Sequence, residues 1–219
     1  MTEKVRARAV YELLLEKFGT PTWEKRPALD ELMLTILSQN TNDRNRDIAY
    51  NALRENYPTW EEVKDAHEDE LIGTIRVAGL ANQKGPRIQA VLKKIDQEFK
   101  QLDLDFMRDW EREMVYEYLV NLKGVGPKTA SIVMLFSLDL PAFPVDTHVY
   151  RVTGRIGIRP LEISVENSHE YLASCFNVEE YRTAHINLIY LGRRICKARK
   201  PDCLNCPVHD LCLYPDKSN

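Results

Sequence analysis

Leu122-Lys123-Gly124-Val125-Gly126-Pro127-Lys128-Thr129-Ala130 is the stretch on which the reading of this chain turns. Two glycines one residue apart allow positive φ and close backbone approach, and Pro127 suits the first position of a helix, where its missing N–H costs nothing. Upstream, Met114, Tyr118, Leu119 and Leu122 recur on one helical face. Downstream, Ala130 to Leu138 is apolar nearly all round, the pattern of a buried helix. The stretch therefore reads as a tight hairpin between two helices. Its amides at Gly124, Gly126 and Lys128 are expected to point outward at a helix N-terminus, where a phosphate docks. A plain interhelical turn is the competing reading. Lys128 argues against it, because the positive end of the helix dipole opposes a lysine there. The residue serves either as a phosphate contact or, with its neutral amine favoured, as a nucleophile. From the residues alone the phosphate contact is the simpler role.

The rest of the chain is helical in pattern. Leu29, Leu32, Met33, Ile36 and Leu37 follow the i, i+3, i+4, i+7, i+8 spacing, and Ile88, Val91, Leu92, Ile95 and Phe99 repeat it. Thr59 with Glu62 has capping-box spacing, and Asn42-Asp43 offers a cap before Arg44 to Asn56. Period-two runs bounded by turns are missing, so the fold class is all-α. Pro141-Ala142-Phe143-Pro144 must stop a helix, and Arg159-Pro160 marks a second break. Eighteen residues after Lys128, Asp146 opens Val145-Asp146-Thr147-His148 and is placed to cap the next helix. A capped carboxylate is also preorganised to stabilise a cation or assist proton transfer. His148 reads as a packing or hydrogen-bonding residue of that helix.

Four cysteines, Cys196, Cys203, Cys206 and Cys212, are separated by six, two and five residues. Structural zinc draws its cysteines as two close pairs, and here only Cys203 and Cys206 form one. The spacing favours a cubane iron–sulfur cluster, with zinc second and a disulfide pair third. Disulfides fit poorly with the charged amphipathic start, Met1 to Glu16, which does not resemble a signal peptide, so a reducing cytosol is expected. Cys175, the fifth, reads as a small buried hydrophobe. No apolar run is long enough to span a bilayer. The net charge of −3 over 219 residues means that any nucleic-acid role must rest on local patches. One such patch is Lys197-Ala198-Arg199-Lys200, preceded by Arg193-Arg194 and enclosed between the first two cysteines.

The hairpin, the Val145 to His148 segment at that separation, and Leu191-Gly192-Arg193-Arg194 leading into the cysteine array resemble the endonuclease III family. This is the iron–sulfur branch of the helix-hairpin-helix DNA glycosylase superfamily, and the resemblance covers nearly the whole chain. It implies two helical domains flanking a DNA-binding cleft: a six-helix domain over residues 28–140, and an iron–sulfur cluster domain over 1–27 plus 141–219. It further implies one [4Fe–4S] cluster on the four cysteines, a monovalent cation at the hairpin, and a monomer acting on damaged double-stranded DNA away from membranes. Lys128 matches the nucleophile and Asp146 the catalytic aspartate, facing each other across the cleft. The implied reaction is excision of oxidised pyrimidines followed by β-elimination at the abasic site. Implied DNA contacts are Asn40, Leu80, Lys84, Lys123, Gly124, Val125, Gly126, Arg193, Lys197, Arg199 and Lys200.

Three positions depart from the family pattern. Lys123 stands where proline commonly precedes the first glycine of the hairpin. In Leu37-Ser38-Gln39-Asn40-Thr41-Asn42-Asp43, the glutamine that fills the gap left by a flipped base is replaced by Asn40, or is Gln39 if the register slips by one. Ala81 follows the wedge residue Leu80 where tyrosine is common. These changes bear on lesion range and opposite-strand preference. The alternatives are a monofunctional mismatch or adenine glycosylase of the same fold, and a non-catalytic iron–sulfur DNA-binding module. Lys128 favours the bifunctional enzyme.

Overall fold

The computed structural model describes residues 1–217. Eleven α-helices follow in order: α1 Glu3–Phe18, α2 Ala28–Ser38, α3 Asp43–Asn56, α4 Trp60–Asp65, α5 Glu68–Thr74, α6 Ala81–Phe99, α7 Arg112–Val120, α8 Pro127–Phe136, α9 Thr147–Ile156, α10 Val165–Ala173 and α11 Tyr181–Arg194. Short 3-10 turns join several of them, and no strand occurs among the described residues. No helix there is long and apolar enough to cross a membrane. The chain divides into two compact units, Lys25–Leu140, and Met1–Glu24 with Pro141–Asn219.

In the Lys25–Leu140 unit the central element is α2, where Ala28, Leu29 and every residue from Leu32 to Leu37 are buried. A helix apolar on all sides must be covered on all sides. Helices α3, α6 and α8 pack against it. Truncating a fully buried leucine such as Leu32 to alanine is worth about 2–5 kcal/mol. The expected caps form as read. Asn42 accepts from the Asn45 amide at 2.9 Å, and Thr59 with Glu62 closes a full capping box. The stripe on α7 is shifted from its expected position. Val115 and Leu119 are buried while Met114 is 55 % exposed. Tyr118 belongs to an aromatic cluster with Phe99 and Trp110 instead, and its hydroxyl donates to Glu98 at 2.9 Å. Apolarity alone does not say which of two adjacent residues turns inward.

In the other unit α11 packs on both α1 and α9. The crossing of α9 and α11 is close because Gly192 has no side chain: a Cβ there would lie 2.9 Å from that of His148. Cys175 is half-buried rather than enclosed, and burial pushes its thiol up.

Candidate functional site

The hairpin between α7 and α8 forms as expected, with one difference. Only Gly124 takes a positive φ, +76°, whereas Gly126 is extended at φ −106° and serves as the N-cap of α8. The Val125 amide closes the turn on the Leu122 carbonyl at 3.0 Å. The first bond of the α8 ladder runs from the Ala130 amide to the Gly126 carbonyl at 3.0 Å. The amides before Ala130 thus lie outside the ladder, at the positive end of the helix. Pro127 occupies the first helical position and Lys128 the second, half-buried. Lys123 and Gly124 are exposed. Val125 is only 5 % exposed; its side chain anchors the turn, which leaves its backbone alone available to a ligand.

Two further loops belong to this unit. After α2 the chain passes through Gln39 to Asn40, which is exposed and left-handed at φ +53°. Before α6 it passes through Gly79 to Leu80, left-handed at φ +51° and 47 % exposed. An exposed leucine in that conformation is a turn residue on display, not part of the core. The two candidates for the gap-filling role are separated by their partners. The Gln39 amide donates to the Gly124 carbonyl at 3.1 Å, and its carbonyl accepts from Arg87. Gln39 is thereby tied to the hairpin, while Asn40 is the exposed member of the pair.

Lys84 overturns an expectation. The resemblance implies a DNA contact here, yet the residue is 1 % exposed, and its ammonium donates to the carbonyls of Leu37 at 2.7 Å and Ala78 at 2.8 Å. Burial, with the like charge of Arg87 added, lowers its pKa to about 8. A group so enclosed cannot reach a phosphate. Lys84 lies in register with the apolar stripe of Ile88, Val91 and Ile95 on α6, which turns it inward; the sequence does not show the two carbonyls that receive it.

In the other unit, Pro141 to Val145 runs without helix and is pinned by two buried histidines. His169 Nδ1–H donates to the Phe143 carbonyl at 3.0 Å and His185 Nδ1–H to the Pro144 carbonyl at 2.9 Å. The ring of Phe143 stacks on Phe176. At the end of this segment Asp146 caps α9, accepting from the Val149 amide at 2.7 Å. The carboxylate is half-buried and fixed. His148 packs against Gly192 of α11 as well as bonding within its own helix, with Nδ1 3.1 Å from an Arg151 Nη2, and burial lowers its pKa.

All four cysteines of the array line one cavity, together with Arg155, Ile156, Leu191 and Ile195. The four sulfurs thus face one space, the four-thiolate set that a cubane core takes. Burial pushes the Cys206 thiol up to about 11, so its thiolate form depends on the positive charge of a bound metal core. The backbone around the first cysteine is clamped by two arginines of α9 that sequence reading missed. Arg151 donates to the carbonyls of Gly192 at 2.9 Å and Cys196 at 3.0 Å. Arg155 donates to those of Lys197 at 2.7 Å and Ala198 at 3.0 Å, lies 3.6 Å from Cys196 Sγ and covers the Tyr214 ring. With its backbone held this way, the loop leaves the side chains of Lys197, Arg199 and Lys200 exposed, as are those of Arg193 and Arg194.

Comparison with known proteins agrees with this layout. Residues 33–176 match the model of the HhH-GPD superfamily of base excision DNA repair proteins, and residues 196–212 match the iron–sulfur binding domain of endonuclease III. The chain is 35 % identical over 185 residues to endonuclease III of Sulfolobus acidocaldarius, covering 84 % of this chain and 80 % of that protein. It is 36 % identical over 184 residues to the Rickettsia felis enzyme, covering 84 % and 81 %. Its structure superposes on that of a trapped endonuclease III–DNA covalent intermediate with a TM-score of 0.84 and 30 % identity, over 97 % of this chain and 96 % of the other. The cysteine array accordingly carries a [4Fe–4S] cluster, and the chain belongs to the HhH-GPD superfamily of base excision DNA repair glycosylases, in the iron–sulfur branch of endonuclease III.

Proposed function

We propose that this protein removes oxidised pyrimidines from damaged double-stranded DNA and then cleaves the strand at the abasic site, acting as a monomer in the cytoplasm and on the nucleoid. The observation that carries this reading is the half-buried Lys128 at the second position of α8, directly after a hairpin whose backbone is shaped to receive a phosphate. The damaged nucleotide must leave the stack before its sugar can be attacked. The Lys128 amine then adds to C1′ as the C1′–N bond breaks, and the base departs with the electron pair and takes up a proton. Opening of the sugar ring yields a Schiff base on Lys128. Loss of a C2′ proton with rupture of the C3′–O bond releases the 3′ phosphate. Asp146 supplies the fixed anion that offsets cationic charge on the sugar and handles a proton.

Exposed Leu80 is the wedge and Asn40 the gap filler, and the hairpin backbone with Lys123 holds phosphate. Arg193, Lys197, Arg199 and Lys200 extend the phosphate track. The segment 28–140 carries the hairpin and the reading loops, and 1–27 with 141–219 carries the cluster. Cys196, Cys203, Cys206 and Cys212 would hold the cluster, which would fix the basic loop at its two ends, Cys196 and Cys203; base excision and β-elimination need no net electron transfer. Borohydride trapping on a duplex with an abasic site tests the chemistry, because reduction converts a Schiff base into a stable secondary amine. The wild type should yield a covalent adduct and Lys128→Ala none. An undiminished adduct in that variant would reassign the nucleophile.

A further inference from the structure

Lys84 and Arg87 stand three residues apart on α6, so they share one face of the helix. Between them they touch the end of α2, the 3-10 turn before α6 and the hairpin, all in the Lys25–Leu140 unit. The Lys84 ammonium joins the carbonyl of Leu37, three residues before Asn40, to that of Ala78, two residues before Leu80. The Arg87 guanidinium donates to the Gln39 carbonyl oxygen, and the Gln39 amide continues to the Gly124 carbonyl of the hairpin at 3.1 Å. The stem of Arg87 also fills the space over Gly124, where a Cβ would fall 2.2 Å from Arg87 Nε.

Stability alone does not account for a charge at this position. An enclosed ammonium is costly unless fully paired, and among the described residues no carboxylate pairs with Lys84. The charge that acts on it is that of a second cation, Arg87. An apolar side chain of similar length would fill the same space without a buried charge, but would take the donor from the Leu37 and Ala78 carbonyls. What the ammonium alone supplies is two directed bonds to the turns that lead into two different loops. Each of these loops ends in a non-glycine residue with positive φ, Asn40 at +53° and Leu80 at +51°. Such conformations persist only where the surroundings over-determine them.

We propose that Lys84 and Arg87 are positioning residues that hold Asn40, Leu80 and the Gly124 turn in one fixed register, so that the three loops engage a duplex as a single preorganised surface. This rests on the DNA-reading roles given above for those loops. Neither side chain touches DNA in this account; each acts through the loops it ties.

The test is a double-mutant cycle read on binding. The probe is a duplex carrying tetrahydrofuran, a stable abasic analogue, so that affinity is measured without chemistry. Lys84→Met should weaken binding about tenfold. Leu80→Ala should cost several-fold in the wild type but less than twofold in the Lys84→Met background, because the loop it truncates is no longer held. Single-turnover borohydride trapping at saturating enzyme should stay within about threefold of wild type, so that the loss falls on KM and not on kcat. Arg87→Met paired with Asn40→Ala gives a second cycle at a half-buried site should Lys84→Met fail to fold. Additive losses in the cycle, or unchanged affinity in the single variant, would overturn the proposal. If wild-type enzyme binds the duplex but forms no adduct on an abasic site, the proposed chemistry fails while the cycle still decides the positioning role.

Discussion

Asp146 accepts a hydrogen bond from the Val149 amide at 2.7 Å, so the carboxylate proposed for catalysis is also the N-cap of α9. Structure and chemistry can be separated at this residue, because asparagine caps about as well as aspartate and carries no charge. Asp146→Asn should keep the melting temperature close to wild type while lowering base excision by about a hundredfold or more. Asp146→Ala should lose the same activity and also about 1 kcal/mol of stability. Thermal unfolding measured beside single-turnover excision checks both. Full activity in Asp146→Asn would reduce the residue to a cap.

At the hairpin, Gly124→Ala places a side chain at φ +76° and into the stem of Arg87. The left-handed conformation alone costs about 1–2 kcal/mol for a residue with a Cβ, and Arg87 must also move, loosening its bond to Gln39. The expected outcome is a clear loss of duplex affinity and a stability loss of at least about 1 kcal/mol. Gly126→Ala is the control, since its φ is negative and a Cβ there meets nothing within 4 Å. Equal damage from the two substitutions would show that the Arg87 contact has no special weight.

The protein carries a net charge of −3, yet Arg193, Lys197, Arg199 and Lys200 are exposed on the cluster side. Phosphate contact releases counterions, so duplex affinity should fall steeply with salt, with a log–log slope of about −0.9 per phosphate neutralised. Replacing Arg199 and Lys200 together by alanine should flatten that slope by about 2. Titrations between low and physiological salt measure it. An unchanged slope would remove the loop from the interface.

Acid should weaken the fold through His169. Burial lowers its pKa below the usual histidine value, against the opposing effect of its bond to Phe143. Above about pH 6.5 the ring is neutral in both states and contributes no pH dependence. Below it, the unfolded chain takes up a proton that the folded protein refuses, and stability falls by up to about 1.4 kcal/mol per pH unit until the folded value is reached. Urea midpoints at pH 7.5 and 5.5 should show this decline, and His169→Asn should reduce it. A slope unaffected by the substitution would assign the acid sensitivity to other groups.

The parts of this protein legible from its sequence are those whose meaning is local. The Gly124 to Lys128 turn, the capping box at Thr59, the cap at Asp146 and the uneven cysteine array each depend on residues a few positions apart. A short chain segment has few conformations that satisfy such a pattern. The apolar periods of α2 and α6 were readable for the same reason. On α7 the buried pair proved to be Val115 and Leu119, because the neighbouring aromatic cluster claimed Tyr118. Lys84 is implied as a DNA contact by the resemblance, and its true role emerges only when the Leu37 and Ala78 carbonyls are brought beside it, from 47 and 6 residues away. Gln39 meets Gly124 across 85 residues, and Arg155 meets the Lys197 carbonyl across 42. The sequence by itself determined the all-helical class, several of the caps, the place of Lys128 at the start of a helix and the cysteine array. Only the tertiary structure decided which cations face solvent and which are spent on backbone carbonyls, because that choice depends on partners supplied by distant segments once the core has closed.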